Sequence, residues 1–267
     1  MTFETDSKEL QAIASAEQAC IPESICIYAM GDIHGMSGLA QSLLDKILLQ
    51  IEADQRHTEI VILGDMIDRG PDSSGVLDIF LRLQNESGDQ LRVRLLKGNH
   101  EQMMLAFLDN PQRTGAAWLA NGGDATLRSY GVQLPQRPSR SQFRFIRDEL
   151  LAKMPDEHLR CVRDMQPKFT IGDYFFCHAR LRKGYSLAEQ SEEDLLWSRG
   201  DPDDMDFPQE KIIVHGHIPI IEPQMGKYHI NVDTGAYVTG RLTAVRLSGS
   251  KRDFCSVWLS EARKTPN

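Results

Sequence analysis

The chain has 267 residues, with 38 acidic side chains against 30 basic ones, a formal charge of −8, and 41% apolar and 25% charged residues. That composition is ordinary globular and excludes a disordered or collagenous chain; at this length about 70–75% of the unfolded surface is buried, so the core needs no staple. The acidic balance excludes a general duplex nucleic-acid binder, which needs a basic field to displace counterions from phosphates.

Residues 1–24 mix polar and small side chains without a sustained period and are expected to form a polar lead before a single domain over 25–267. The first residues lack the basic and apolar regions of a secretory signal, and no apolar stretch approaches the roughly 20 residues that cross a bilayer. Cys20, Cys26, Cys161, Cys177 and Cys255 are odd in number and widely spaced. Free thiols in a reducing compartment are expected, hence a cytoplasmic protein with no membrane partner.

Ile25–Met30 is a short β-prone run stopped by Gly31-Asp32. Apolar residues at Leu39, Leu43, Leu44, Ile47, Leu48 and Ile51 then form a helical stripe. Glu59–Leu63 reads as a second strand ending at Gly64-Asp65, and Pro71-Asp72-Ser73 signals a helix to about Leu83. Leu91–Leu96 repeats the pattern, ending at Gly98-Asn99-His100 before a helix over Gln102–Leu108. Three strand–helix units of this kind predict an α/β fold with a largely parallel sheet. Its ligands are expected beyond the carboxyl ends of the strands.

Residues 110–166 are punctuated by Pro111, Pro135, Pro138 and Pro155 and are expected as a mostly helical insertion, with helices over Asp124–Tyr130 and Gln142–Met154. Strand signals return at Lys168–Ile171, Tyr174–Cys177, Ile212–His215, Tyr228–Val232, Leu242–Leu247 and Phe254–Leu259. Their close spacing predicts a second sheet, mixed or antiparallel. Asp201–Asp206 is expected as an acidic surface loop, and Trp118, Trp197 and Trp258 as separated packing residues.

The chemistry concentrates where strands end. Asp32 and His34 stand two residues apart, so in an extended segment both point to one side and can chelate one ion. A set of Asp, His and Asn suits manganese, iron or zinc better than calcium, which prefers oxygen alone. A single Asp-x-His pair carries little weight. Three strand-end motifs in order, followed by His178 and His217 at the ends of later strands, carry a great deal.

GDIHG at 31–35, GDMIDRG at 64–70, GNHE at 98–101, FFCHA around His178 and VHGHIP around His217 together resemble the metal-dependent phosphoesterases. Within them they resemble the serine/threonine phosphatases of the phosphoprotein phosphatase family, bacterial and phage type, whose segments Asp194–Arg199 and Asn231–Ala236 also echo. The resemblance implies a calcineurin-like sandwich of two mixed sheets flanked by helices, and a centre of two divalent ions, manganese first. It implies that Asp32 and His34 hold the first ion, that Asp65 bridges, and that Asn99, His178 and His217 complete the second. It further implies attack on phosphorus by a metal-bridging hydroxide, phosphate contacts from Arg69 and Arg199, and His100 as general acid oriented by Asp68.

Within VHGHIP the family pattern selects His217, leaving His215 as a hydrogen-bonded strand residue; Ile218 replaces the Thr found in many members. His57, His158 and His229 have no motif around them, and Glu101 is either a carboxylate that positions His100 or a favourable helix-start charge. The zincin pattern, the Gly-x-Ser-x-Gly elbow, the nucleotide P-loop and Gly-x-Gly-x-x-Gly are all absent. The expected substrates are phosphoserine and phosphothreonine in proteins. The alternative is a symmetrical dinucleoside tetraphosphatase acting on a dinucleoside polyphosphate, with Trp118–Tyr130 as the place to look for substrate reading. A catalytically idle metal-binding adaptor is disfavoured, because Asp68, Arg69 and His100 are all present.

Overall fold

The computed structural model describes residues 19–54, 56–200, 207 and 209–259. The acidic loop expected at Asp201–Asp206 and the first 18 residues of the expected lead lie outside the described residues.

Two five-stranded sheets stack face to face. The first has the order β10-β9-β1-β2-β3, where β1 is Ile25–Met30, β2 His57–Ile62, β3 Leu91–Leu95, β9 Arg241–Ser248 and β10 Lys251–Trp258. Strands β1, β2 and β3 are parallel, linked by α1 (Ser37–Glu52) and α2 (Ser73–Glu86), as the strand–helix alternation predicts. Both sheets are mixed, as the resemblance implies; the placement of the last two strands in the other sheet is corrected. Strands β9 and β10 form a hairpin turning at Gly249-Ser250, and β9 pairs antiparallel with β1. Nothing in a strand's own sequence says which sheet it joins, because a chain can cross between stacked layers in one turn.

The second sheet runs β4-β5-β6-β8-β7, with β4 Lys168–Ile171, β5 Tyr174–Cys177, β6 Ile212–His215, β7 Gln224–Met225 and β8 His229–Asn231. Its three central strands are parallel and its two edges antiparallel, so this sheet too is mixed.

Period-two alternation divides the core. Cys26, Tyr28 and Met30 of β1, with Ile60 and Ile62 of β2, face the helices; Ile27 and Ala29, with Val61 and Leu63, face Phe176, Val214 and Ile230 of the other sheet. Strands buried on both faces read as continuous apolar runs, which is why these segments were conspicuous in the sequence. The outer face of the second sheet packs Phe175, Cys177 and Ile213 against Leu195 of α8 (Glu192–Trp197).

The insertion carries α4 (Pro111–Trp118), a wide π-type turn at Leu119–Gly123, α5 (Asp124–Ser129), α6 (Gln142–Lys153) and α7 (Asp156–Asp164). Its Trp118, Leu127, Phe143, Ile146 and Val162 share one apolar cluster with α1, α2 and the first sheet, so the insertion has no separate core. Residues 19–24, expected within the lead, also belong to the body. Ala19 and Ile21 are buried between the sheets, and the Ile21 amide donates to the Gly249 carbonyl. No helix among the described residues is long and apolar enough to cross a membrane.

Candidate metal centre

Six parallel strands, three from each sheet, end at one place. Asp32 follows β1, Asp65 follows β2, Asn99 opens α3 (Asn99–Asp109) after β3, His178 follows β5, His217 follows β6 and Asp233 follows β8. All are nearly or fully buried except His217, which is half-buried. The backbone there is under strain. Among the described residues the non-glycine positions with positive φ are His34, Asp65, Asp68, Arg69 and His217, at 46° to 70°. Each such residue costs about 1–3 kcal/mol and persists only where its surroundings over-determine it. Gly216 shows how tight the packing is, since a Cβ there would run into Asp32 Oδ1.

Asp65 lies at the middle. Its Oδ2 is 3.5 Å from His34 Nε2 and 3.8 Å from His100 Nε2, while its Oδ1 is 3.4 Å from His178 Nε2. Two groups of metal-capable side chains therefore share it: His34, Asp65 and His100 on one side, Asp65, His178 and His217 on the other. Asn99 joins the second group, its Oδ1 2.9 Å from His178 Nε2 and 3.0 Å from His217 Nδ1. Asp32 stands outside both groups; its oxygens accept the His217 amide at 3.1 and 3.2 Å.

The donor set fits a divalent cation. His34 Nδ1 donates to the Ile67 carbonyl and His178 Nδ1 to the Leu63 carbonyl, each at 2.9 Å, which fixes the tautomer in which Nε2 offers a lone pair to the site. The His178 lone pair faces two acceptors, Asn99 Oδ1 and Asp65 Oδ1, an arrangement that calls for positive charge between them. A proton can supply some of it: although burial opposes this, Asp65 and Asp32 draw His178 up to about 10. Burial lowers His34 and His217 to about 3, so both are neutral imidazoles at any physiological pH, the form a cation binds. Burial, with Asp233 beside it, pushes Asp32 well above the usual carboxylate range, a tension that a neighbouring cation relieves.

Around this floor stand the residues expected to act on substrate. His100 Nδ1 donates to Asp68 Oδ2 at 2.7 Å, and its Nε2 is buried with no hydrogen-bond partner among the described residues. The exposed Arg69 guanidinium lies 4.8 Å from the Tyr237 ring centroid, with Nη1 2.8 Å from His34 Nε2. Arg199 is exposed just past α8, its carbonyl held by Arg180 Nη1 at 3.2 Å, and its charge contributes to lowering His217. His215 is buried and packs on the His229 ring, as expected of a strand residue. His158 is buried between Tyr130 and Asp78, and His57 sits at the far end of β2.

Glu101 is more than a helix-start charge. Its buried carboxylate accepts the Gly98 amide at 2.8 Å, the Asp65 amide at 2.9 Å and the Met66 amide at 2.8 Å, tying α3 to the Asp65 loop. The Ile67 amide donates to it as well, at 3.4 Å, so Glu101→Ala leaves four buried amides without acceptors and should cost about 3–5 kcal/mol. Denaturant unfolding checks this, and a loss under 1 kcal/mol would contradict it.

Motif reasoning missed Tyr237, Asp233, Gly122 and the insertion's two donors to Asp68. Trp118 Nε1 donates to Asp68 Oδ2 at 2.8 Å and Thr126 Oγ1 to Asp68 Oδ1 at 2.6 Å. At the ends of Trp118–Tyr130, the place to look for substrate reading, both Trp118 and Tyr130 are buried. Asp233 and Tyr237 lie in or beside Asn231–Ala236, a segment noted only for its resemblance.

The profile of the calcineurin-like phosphoesterases matches residues 26–246, from β1 into β9. The chain belongs to this family. Calcineurin-like phosphoesterases are metal-dependent hydrolases, in keeping with the two groups around Asp65. The chain is 27% identical over 240 residues to the asymmetrical bis(5'-nucleosyl)-tetraphosphatase PrpE of Bacillus thuringiensis, covering 81% of this chain and 88% of that protein. With the same-named protein of Oceanobacillus iheyensis it shares 25% over 237 residues, covering 85% and 90%. Among solved structures, a protein provisionally assigned as a diadenosine tetraphosphatase superposes with a TM-score of 0.59 at 18% identity, covering 88% of this chain and 95% of that one. A serine/threonine phosphatase of Saccharomyces cerevisiae gives 0.52 at 16% identity, covering 91% and 82%. These two likenesses establish the shared fold.

Proposed function

We propose that this calcineurin-like phosphoesterase hydrolyses phosphoric esters or anhydrides at a two-metal centre, held by Asp32, His34 and Asp65 on one side and by Asp65, Asn99, His178 and His217 on the other. The observation that carries this reading is Asp65, whose two oxygens face separate groups of ligand-capable side chains. When bound, a divalent pair acidifies water and offsets charge on the phosphoryl group; manganese is the first candidate.

The chain's own residues do the rest. Arg69 and Arg199 stand exposed at the rim, where permanently charged, planar guanidinium groups can grip phosphoryl oxygens. His100 holds a proton at Nε2 for the leaving oxygen, with its ring fixed by Asp68 at Nδ1. Buried His34 and His178, oriented by the Ile67 and Leu63 carbonyls, keep the floor rigid. The buried thiols Cys26, Cys177 and Cys255 fit the reducing environment of the cytoplasm.

Two substrate classes compete. The names of the Bacillus and Oceanobacillus relatives support a dinucleoside tetraphosphate, cut asymmetrically, whereas the alternative drawn from the sequence was a symmetrical cut. The motif set and its resemblance to protein phosphatases support phosphoserine and phosphothreonine. Diadenosine tetraphosphate, on the strength of relatives aligned over most of both chains, is the first to test against a phosphothreonine peptide. Chelation should abolish turnover of either and manganese should restore it; full activity in the chelated protein would overturn the two-metal reading. A kcat/KM at least about tenfold higher for one substrate decides between the classes.

A further inference from the structure

We propose that the helical insertion is a positioning clamp for the reaction: Trp118 and Thr126 hold Asp68, and through it His100, while Gly122 holds Arg69. The inference rests on the roles proposed above for His100 and Arg69.

Asp68 and Arg69 are consecutive residues with φ of 70° and 67°, a conformation uncommon for non-glycine residues and more so for two in a row. The insertion supplies much of what holds them there. The Asp68 amide donates to Thr126 Oγ1 at 2.9 Å and to Ser73 Oγ at 3.0 Å, and the Thr126 hydroxyl returns a bond to Asp68 Oδ1. The Trp118 indole N–H reaches Asp68 Oδ2, the same oxygen that receives His100 Nδ1. The Arg69 amide donates to the Gly122 carbonyl at 3.1 Å. Gly122 itself has a φ of 99°, and a Cβ there would lie 2.8 Å from Arg69 Cγ and 2.9 Å from the Arg69 amide nitrogen. Only glycine lets the turn approach so closely.

Every polar contact of the Asp68 carboxylate is thus specified, two of its three donors coming from a segment some 50 residues downstream. With Thr126 or the indole N–H removed, the carboxylate gains rotational freedom, and the imidazole it steers gains it too. Protonation of a leaving group is sensitive to such alignment, because proton transfer needs hydrogen-bond reach. Displacing Arg69 weakens phosphate binding whatever the leaving group. Trp118, Gly122 and Thr126 are positioning residues; substrate contact is left to His100 and Arg69.

The alternative is that the insertion only packs the core, since Trp118 and Leu127 sit in the main apolar cluster. Leaving-group dependence separates the two. Thr126→Val, which keeps the shape and removes the hydroxyl, should lower kcat on an alkyl phosphate at least about tenfold more than on an aryl phosphate. Thr126→Ser should restore the ratio. Trp118→Phe should shift it in the same direction. Gly122→Ala should raise KM and weaken inhibition by inorganic phosphate by about tenfold, equally for both leaving groups. Metal analysis should still give two ions per chain in the Thr126 variants. Equal losses on both phosphates, or no restoration by Ser, would overturn the clamp. His100→Asn is measured alongside. If it discriminates between the phosphates and Thr126→Val does not, the clamp alone fails; if His100→Asn itself does not discriminate, the acid role fails and the clamp with it.

Discussion

Asp65→Asn should reduce turnover of an aryl phosphate by on the order of 10³-fold, because several kcal/mol of transition-state stabilisation depend on metal charge at the phosphoryl group. The substitution keeps the side chain's volume. It removes the charge shared by two groups of ligands and turns an NH₂ toward one of them, where His34 Nε2 and His178 Nε2 stand at 3.5 and 3.4 Å from the two present oxygens. Metal content should fall below two ions per chain, read by elemental analysis after gel filtration, with far-ultraviolet circular dichroism confirming an unchanged fold. His57→Asn is the comparison. His57 also lies on β2, but at the strand's opposite end, where its Nδ1 donates to the Asp89 carbonyl. Activity and metal content of that variant should match the parent protein. Equal losses in the two variants, or full metal content in Asp65→Asn, would remove Asp65 from its central place.

The contrast between β2's two ends also explains what could be read in the sequence. Asp32, His34, Asp65, Asn99, His100, His178 and His217 were legible because each follows a strand within a few residues, so a local pattern places it at the carboxyl edge. Strands β1, β5 and β6 were legible because burial on both faces makes them continuously apolar. Trp118, Thr126 and Gly122 were not legible: they reach Asp68 and Arg69 from another part of the chain, through contacts that no local periodicity encodes. Strand β9 failed for a related reason, since its partner β1 lies more than 200 residues away. Glu101 was half legible. Its place in the first turn of α3 suggested a helix charge, whereas its reach to the Asp65 and Met66 amides required the fold.

His100→Asn should lower kcat on an alkyl phosphate by about 10²–10⁴-fold and on an aryl phosphate much less. The competing role is that of a metal ligand, because His100 Nε2 lies with His34 Nε2 around Asp65 Oδ2. The two histidines have different partners at Nδ1. His34 Nδ1 bonds a neutral carbonyl, that of Ile67, whereas His100 Nδ1 bonds the buried carboxylate of Asp68, a partner that favours the imidazolium. Their proton affinities part in the same sense. Burial lowers His34 to about 3; it opposes charge on His100 too, but Asp65 and Asp68 outweigh it and hold His100 above its ordinary value. A proton held at His100 Nε2 can pass to a leaving oxygen, and the metal content of the variant decides between that role and ligation. An alkoxide leaves poorly without a proton and a phenolate leaves readily, so the acid's loss must appear mainly with the alkyl substrate. Metal content should remain at two ions per chain in His100→Asn. A fall to one, with equal losses on both substrates, would make His100 a ligand and leave the leaving group's proton to be supplied from elsewhere.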